Sequence, residues 1–195
     1  MKPLFSTFVY QQALNLPKKT HQGIKETALK LSGIDPEGVK WSKKNYRKGY
    51  TSYGSISQLH HHFSVFESLK TALDREVRAY AKKLGLKFDT GTLELSSLWV
   101  NVMPKDCYHA FHAHPLSVIS GTYYVSVPKG ASPLRIEDPR APLFMASPAR
   151  PIQHDLNPRV GDVILFESWL KHEVPPHSED EARVSVSFNY DWLNR

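Results

Sequence analysis

Cysteine is nearly missing from this chain: Cys107 stands alone among 195 residues. No disulfide can form within it, which excludes a stapled secreted scaffold, and a reducing cytoplasm is the expected compartment. Long apolar runs are missing too. No stretch approaches the roughly 20 residues that a membrane-spanning helix requires. The opening Met1-Lys2-Pro3-Leu4-Phe5-Ser6 turns polar too soon for a secretory signal. Internal repeats and low-complexity segments are absent, which sets solenoids and disordered tails aside. Acid is scarce in one half only. Residues 1–93 carry 16 Lys and Arg against 7 Asp and Glu, or +9, and residues 94–195 carry 9 against 12, or −3.

What is present suits one domain spanning 1–195, long enough to bury about 70% of its unfolded surface. The basic half draws attention to Lys40-Trp41-Ser42-Lys43-Lys44-Asn45-Tyr46-Arg47-Lys48-Gly49-Tyr50, where aromatics interleave with cations. No nucleic-acid motif accompanies it, so a solvated loop is the expectation and nucleic acid is not an expected partner. An anionic substrate steered by that face stays open.

Local patterns place helices first and strands second. Lys18 to Ser32 reads as a helix with Ile24, Ala28, Leu29 and Leu31 as its apolar positions, ended by Gly33 and Pro36. Residues 37–55, rich in Gly, Ser, Lys and Tyr, read as an irregular connection. A longer helix is expected from Leu59 to Leu84, because Leu59, Phe63, Phe66, Leu69, Leu73, Val77, Tyr80 and Leu84 make one stripe. Gly85 is placed to stop it. From Glu94 the pattern turns to short strands broken by proline and glycine: 95–103, 109–114, 120–127, 134–137, 160–166 and 183–190. That alternation predicts an antiparallel sandwich or barrel, hence an α+β chain. Residues 1–93 form its mainly helical flank and 94–195 its β-core.

The chemistry concentrates in that core. His112-Ala113-His114 on an extended segment projects two imidazoles from the same side of the backbone, so both can reach one metal ion. His172 closes the apolar run Val163-Ile164-Leu165-Phe166-Glu167-Ser168-Trp169-Leu170-Lys171. Imidazole suits iron, copper, nickel and zinc alike, so ligand type does not select the metal. In Arg183-Val184-Ser185-Val186-Ser187-Phe188-Asn189 the apolar residues take one face, and Arg, Ser, Ser and Asn take the other. Turned into a barrel mouth, that polar face offers an arginine fork for a carboxylate. The remaining histidines receive structural readings. His60, His61 and His62 splay around the helix as surface or capping residues. His109 falls on the side opposite the pair by strand parity, and His154 and His177 lie in proline-rich loops. Cys107 reads as a lone buried thiol.

Trp99-Val100-Asn101, His112-Ala113-His114-Pro115, Ser120-Gly121-Thr122-Tyr123-Tyr124, Gly161-Asp162 through His172, and Arg183 through Asn189 together resemble the 2-oxoglutarate- and Fe(II)-dependent oxygenases, more narrowly a small bacterial and phage branch of them. The resemblance covers residues 94–192 strongly and the helical half in outline. It implies a double-stranded β-helix (jelly-roll, cupin-like) core with N-terminal flanking helices. It further implies a hydroxylase that couples decarboxylation of 2-oxoglutarate to C–H oxidation at an iron centre. His112 and His172 would be iron ligands, Arg183 and Ser185 would take the distal carboxylate of 2-oxoglutarate, and Asn101, Tyr123 and Tyr124 would be candidates for the pocket wall. Only one of the adjacent tyrosines is expected to point inward. His114 stands where the family usually has a carboxylate. Either it ligates, giving a three-histidine site, or two histidines suffice and water fills the position. Two alternatives stand beside this reading: a cupin-like metalloprotein or three-histidine dioxygenase that does not use 2-oxoglutarate, and a non-catalytic module for an anionic partner. The substrate, small molecule or peptide, is not legible, and a homodimer paired through an exposed sheet face stays open.

Overall fold

The computed structural model describes residues 1–146 and 151–194. Its order follows from where the apolar residues recur. The first predicted helix forms as α1 (Lys18–Ile34), burying Ile24, Ala28 and Leu31, while Leu29 is exposed. The predicted irregular stretch holds instead a second helix, α2 (Pro36–Asn45). Its start is well made: Asp35 accepts a hydrogen bond from the Gly38 backbone N–H, Pro36 opens the first turn, and Glu37 lies at the positive end of the dipole. It buries only Gly38 and Ser42, a face too narrow and too polar to show as an apolar stripe.

The long helix is shorter than its stripe. Leu59–His61 make one 3₁₀ turn, Phe63 is extended, and α3 runs Ser64–Lys83. Phe66, Leu69, Leu73, Val77 and Tyr80 are all buried along it. Gly85 closes α3 as expected, at φ +80, with its N–H on the Lys82 carbonyl and the Leu86 N–H on the Ala81 carbonyl. That pair of bonds is a Schellman ending, and the left-handed φ is why glycine occupies it.

Among the described residues ten strands follow the antiparallel plan: β1 (Tyr10–Ala13), β2 (Tyr50–Thr51), β3 (Gly91–Met103), β4 (His109–His112), β5 (Ile119–Ser126), β6 (Leu134–Glu137), β7 (Gln153–Leu156), β8 (Asp162–Glu167), β9 (His172–Val174) and β10 (Arg183–Asn194). A short helix, α4 (Leu143–Ala146), lies in the proline-rich passage between β6 and β7; positions 147–150 of that passage lie outside the described residues. One sheet has the order β1-β8-β5-β10-β3-β2 and the other β4-β9-β6-β7. The basic, mainly helical half therefore also contributes the two edge strands of the larger sheet.

Period-two alternation sorts the side chains between two cores. On β10, Val184, Val186, Phe188 and Tyr190 join the helices' apolar faces, together with Leu98 and Val100 of β3 and Val163 and Leu165 of β8. The other faces look toward the smaller sheet, where Met103, Tyr124, Ile164 and Phe166 meet Leu134, Ile136 and Val174. The helices thus brace one side of the large sheet, and the opposite side is left to build a site. Among the described residues no helix is long and apolar enough to cross a membrane.

Candidate metal centre and its pocket

β4 and β9 pair so that His112 and His172 stand directly opposite one another. His114, two residues past His112, is held by its backbone N–H on the Ser168 carbonyl, 2.9 Å away. One ring nitrogen from each of the three lies within 4.8 Å of the others, and among the described residues this is the one grouping able to hold a metal ion. The expected convergence of His112, His114 and His172 is present.

The ring orientations suit that role. His112 donates from Nδ1 to the Ala110 carbonyl at 2.8 Å, and His172 from Nδ1 to the Leu170 carbonyl at 2.9 Å. Each bond fixes the tautomer that leaves Nε2 as a lone-pair donor. His114 Nε2 is buried with no hydrogen-bond partner. Its ring stacks on Trp99 and on His172, with centroids 5.9 and 5.2 Å away. Burial, reinforced by the neighbouring imidazoles, pushes His114 down to about 4 and His172 to about 2, so both are neutral near pH 7. His112 is lowered by burial as well. Neutral imidazoles with free, converging lone pairs are the form a divalent metal binds.

His109 is not on the opposite side. Its ring stacks on His112 at 4.1 Å, and it lines the same cavity. The pairing of β4 with β9 shifts register between His109 and His112. A bulge adds one residue and reverses the parity that simple alternation would give. His60, expected at the surface, is buried and lies against His61. His177 is in its loop, also buried, donating from Nε2 to the Met103 carbonyl, and His154 sits on β7. Cys107 is a buried free thiol, as expected.

Behind the histidines lies Arg183, only 2% exposed. Its Nη1 lies 3.0 Å from the Met103 sulfur, its guanidinium carbon 5.1 Å from the centre of the Tyr124 ring, and its Nε has no partner. No carboxylate pairs with it among the described residues. A buried cation with no carboxylate beside it is costly, and an anion bound there would offset that cost. The register assembles its surroundings: Ser185 pairs with Asn101 on one side and Tyr124 on the other. The hydroxyls of Tyr124 and Tyr46 and Asn101 Oδ1 are likewise buried and unpartnered. Arg183, Ser185, Asn101 and the three histidines all line one cavity.

Of the two predicted tyrosines neither lines that cavity: Tyr124 lies behind it against Arg183, and Tyr123 is turned away altogether. It faces the helices, where its hydroxyl lies 2.7 Å from His21 Nδ1. Sequence reasoning missed Tyr46, whose ring packs edge-on against His109 at 5.3 Å, and Trp41, which lines an adjoining cavity of about 270 Å³. Both come from the α2 region. The capping signal Asp35-Pro36-Glu37 was the available clue.

Comparison with known proteins follows the same lines. Residues 97–189 match the family described as "Putative 2OG-Fe(II) oxygenase". No curated protein matches the chain in sequence. Among solved structures it is similar to a prolyl-4-hydroxylase of Pseudomonas putida, 18% identical over 97% of this chain and 94% of that one, with a TM-score of 0.66. It is also similar to HygX of Streptomyces hygroscopicus, solved with nickel and 2-oxoglutarate, 14% identical over 95% and 83%, with a TM-score of 0.67. A third is SnoN, a non-heme α-ketoglutarate-dependent epimerase from nogalamycin biosynthesis, 15% identical over 94% and 77%, with a TM-score of 0.71. At those identities the structural likeness establishes the fold. The segment that carries the histidine cluster and Arg183 matches the 2OG-Fe(II) oxygenase family, and the whole chain has the fold shared by these 2-oxoglutarate-using and prolyl-hydroxylating enzymes.

Proposed function

We propose that His112, His114 and His172 hold one Fe(II), that Arg183 and Ser185 take the distal carboxylate of 2-oxoglutarate, and that the enzyme hydroxylates a C–H bond of a small-molecule or peptide substrate. The observation that carries this assignment is Arg183: a buried guanidinium without a counter-ion among the described residues, in a cavity it shares with three converging histidine rings. When bound, iron with 2-oxoglutarate and dioxygen supplies the oxidation whose products are succinate, carbon dioxide and hydroxylated substrate.

The chain's own residues supply placement. The Nδ1 bonds of His112 and His172 hold their rings toward the metal position. Arg183 and Ser185 anchor the acid in the cavity, with the Tyr46 hydroxyl available as a further donor. Phe166, packed on His172 at 4.5 Å, keeps water from that side. Tyr123, turned to the helices, has no part in this assignment, and Asn101 is a wall residue rather than an anchor. A third neutral ligand in place of the family's carboxylate leaves more positive charge on the metal. The helices and β-core act as one unit here, because α2 contributes to the same cavity as β3 and β4. The single buried thiol suits a reducing, cytoplasmic setting.

The test is turnover. Purified protein given Fe(II), ascorbate and 2-oxoglutarate in air is expected to release succinate above a metal-free control, and His172→Ala is expected to release none. Equal succinate from wild type and His172→Ala contradicts the assignment.

A further inference from the structure

The cavity of about 270 Å³ that adjoins the cluster is built unlike the pocket around Arg183. Trp41, Tyr53 and Trp99 form its aromatic wall, and Ala113, Pro115 and the His112–His114 edge close it toward the metal position. Tyr53 lies edge-on to both tryptophans, with centroids 6.0 Å from Trp41 and 5.0 Å from Trp99. Trp99 is buried at the base and Tyr53 is half-exposed at the mouth. Gly54 allows this wall. A Cβ there would come within 2.3 Å of the Trp41 ring, so the indole lies directly on the backbone of that turn.

Three features restrict the occupant. First, the volume lies near the lower limit of ligand pockets, about 300 Å³, which suits one or two fused rings. Second, no carboxylate lines it among the described residues, and its few polar groups are partly committed. Asn101 Nδ2 donates to Ser187, and Asn189 Oδ1 accepts from Ser120. The buried Tyr46 hydroxyl and Asn101 Oδ1 remain for one or two polar groups, too few for a polyhydroxylated ring, whereas a flat aromatic ring needs none. Third, Lys44 follows Trp41 by three positions and precedes Asn45, a lining residue, on α2, and Arg47 follows two residues later. Both are exposed, and no salt bridge is formed by either among the described residues. With no acid in the wall among the described residues, and exposed cations next in the chain to the lining residues Asn45 and Tyr46, an anion is favoured over an ammonium.

We infer that the substrate is a small aromatic acid, its ring stacked among Trp41, Tyr53 and Trp99 and its anionic group outward toward Lys44 and Arg47. This rests on the oxygenase reading, since it places the ring beside the metal position.

Calorimetry on the protein loaded with Ni(II) and 2-oxoglutarate tests it with three matched probes: indole-3-acetate, indole-3-acetamide and tryptamine. The acid is expected to bind about tenfold more tightly than the amide, and tryptamine not to bind. Lys44→Ala/Arg47→Ala is expected to erase the preference for the acid, and Trp41→Ala to weaken acid and amide alike by about tenfold. Tyr53→Ala, at the exposed mouth, serves if Trp41→Ala does not fold. Equal binding of acid and amide, binding of tryptamine, tighter binding of glucose than of any indole, or no effect of the aromatic substitutions overturns the inference. Binding of 2-oxoglutarate, read on the same samples before the probes are added, tells the two readings apart. Its loss defeats the oxygenase assignment, whereas its persistence without ring binding defeats this inference alone.

Discussion

The Arg183 guanidinium lies over the Tyr124 ring, 5.1 Å from its centre, with both side chains enclosed and, among the described residues, no carboxylate in a salt bridge with the guanidinium. A cation so placed opposes folding of the free protein and favours binding of an anion. Arg183→Met is therefore expected to act in two directions. It should raise the melting temperature of the ligand-free protein and raise the KM for 2-oxoglutarate by about 30-fold or more. Differential scanning calorimetry and 2-oxoglutarate kinetics check the pair. A fall in both stability and affinity would mean that the arginine is chiefly a packing element.

The free protein's response to acid follows from its neutral histidines. His172, His109 and His114 are held at about 2, about 3 and about 4, chiefly by burial, against about 6.5 when unfolded. Above pH 6.5 neither state carries the extra protons, so the folded state loses nothing. As pH falls below 6.5 the unfolded chain takes them up first, and stability drops by up to about 1.4 kcal/mol per pH unit for each such group. The melting temperature without metal should therefore fall between pH 6.5 and 4.5, and saturating Ni(II) should delay that fall. A flat profile over this range would mean that the imidazoles titrate normally.

His114→Ala is expected to weaken metal binding by about 10- to 100-fold, while His114→Asp, which restores a carboxylate, retains it. Competition titration with a chelating dye measures both. Unchanged affinity in His114→Ala would show that His112 and His172 suffice.

Asp35 holds α2 in place: it is buried and accepts hydrogen bonds from the Gly38 N–H, the Tyr50 hydroxyl at 2.7 Å and the Ser55 hydroxyl at 2.6 Å. Asp35→Ala removes the helix cap and orphans the buried Tyr50 hydroxyl, at a cost of about 2–4 kcal/mol in urea unfolding. Asp35→Asn should cost less.

What could be seen in advance depended on whether one strand or two decided the outcome. Alternation along β10 fixes the direction of Arg183 and Ser185 against Val184, Val186 and Phe188, and that was legible in the residues themselves. So were the His112–His114 pair and the stripe of α3. His109 was not, because a bulge is set by the partner strand β9 and leaves no local mark. The choice between Tyr123 and Tyr124 needed the position of the helices, which cover only one face of the large sheet. Trp41 and Tyr46 were hidden because α2 buries a glycine and a serine instead of an apolar stripe.

The most direct measurement is the visible spectrum of the Fe(II)-loaded protein under anaerobic conditions. Adding 2-oxoglutarate should produce a metal-to-ligand absorption band in the wild type and none in Arg183→Ala. A wild-type spectrum indifferent to 2-oxoglutarate, or a band equally strong in Arg183→Ala, would contradict the pairing of the three-histidine cluster with the buried guanidinium.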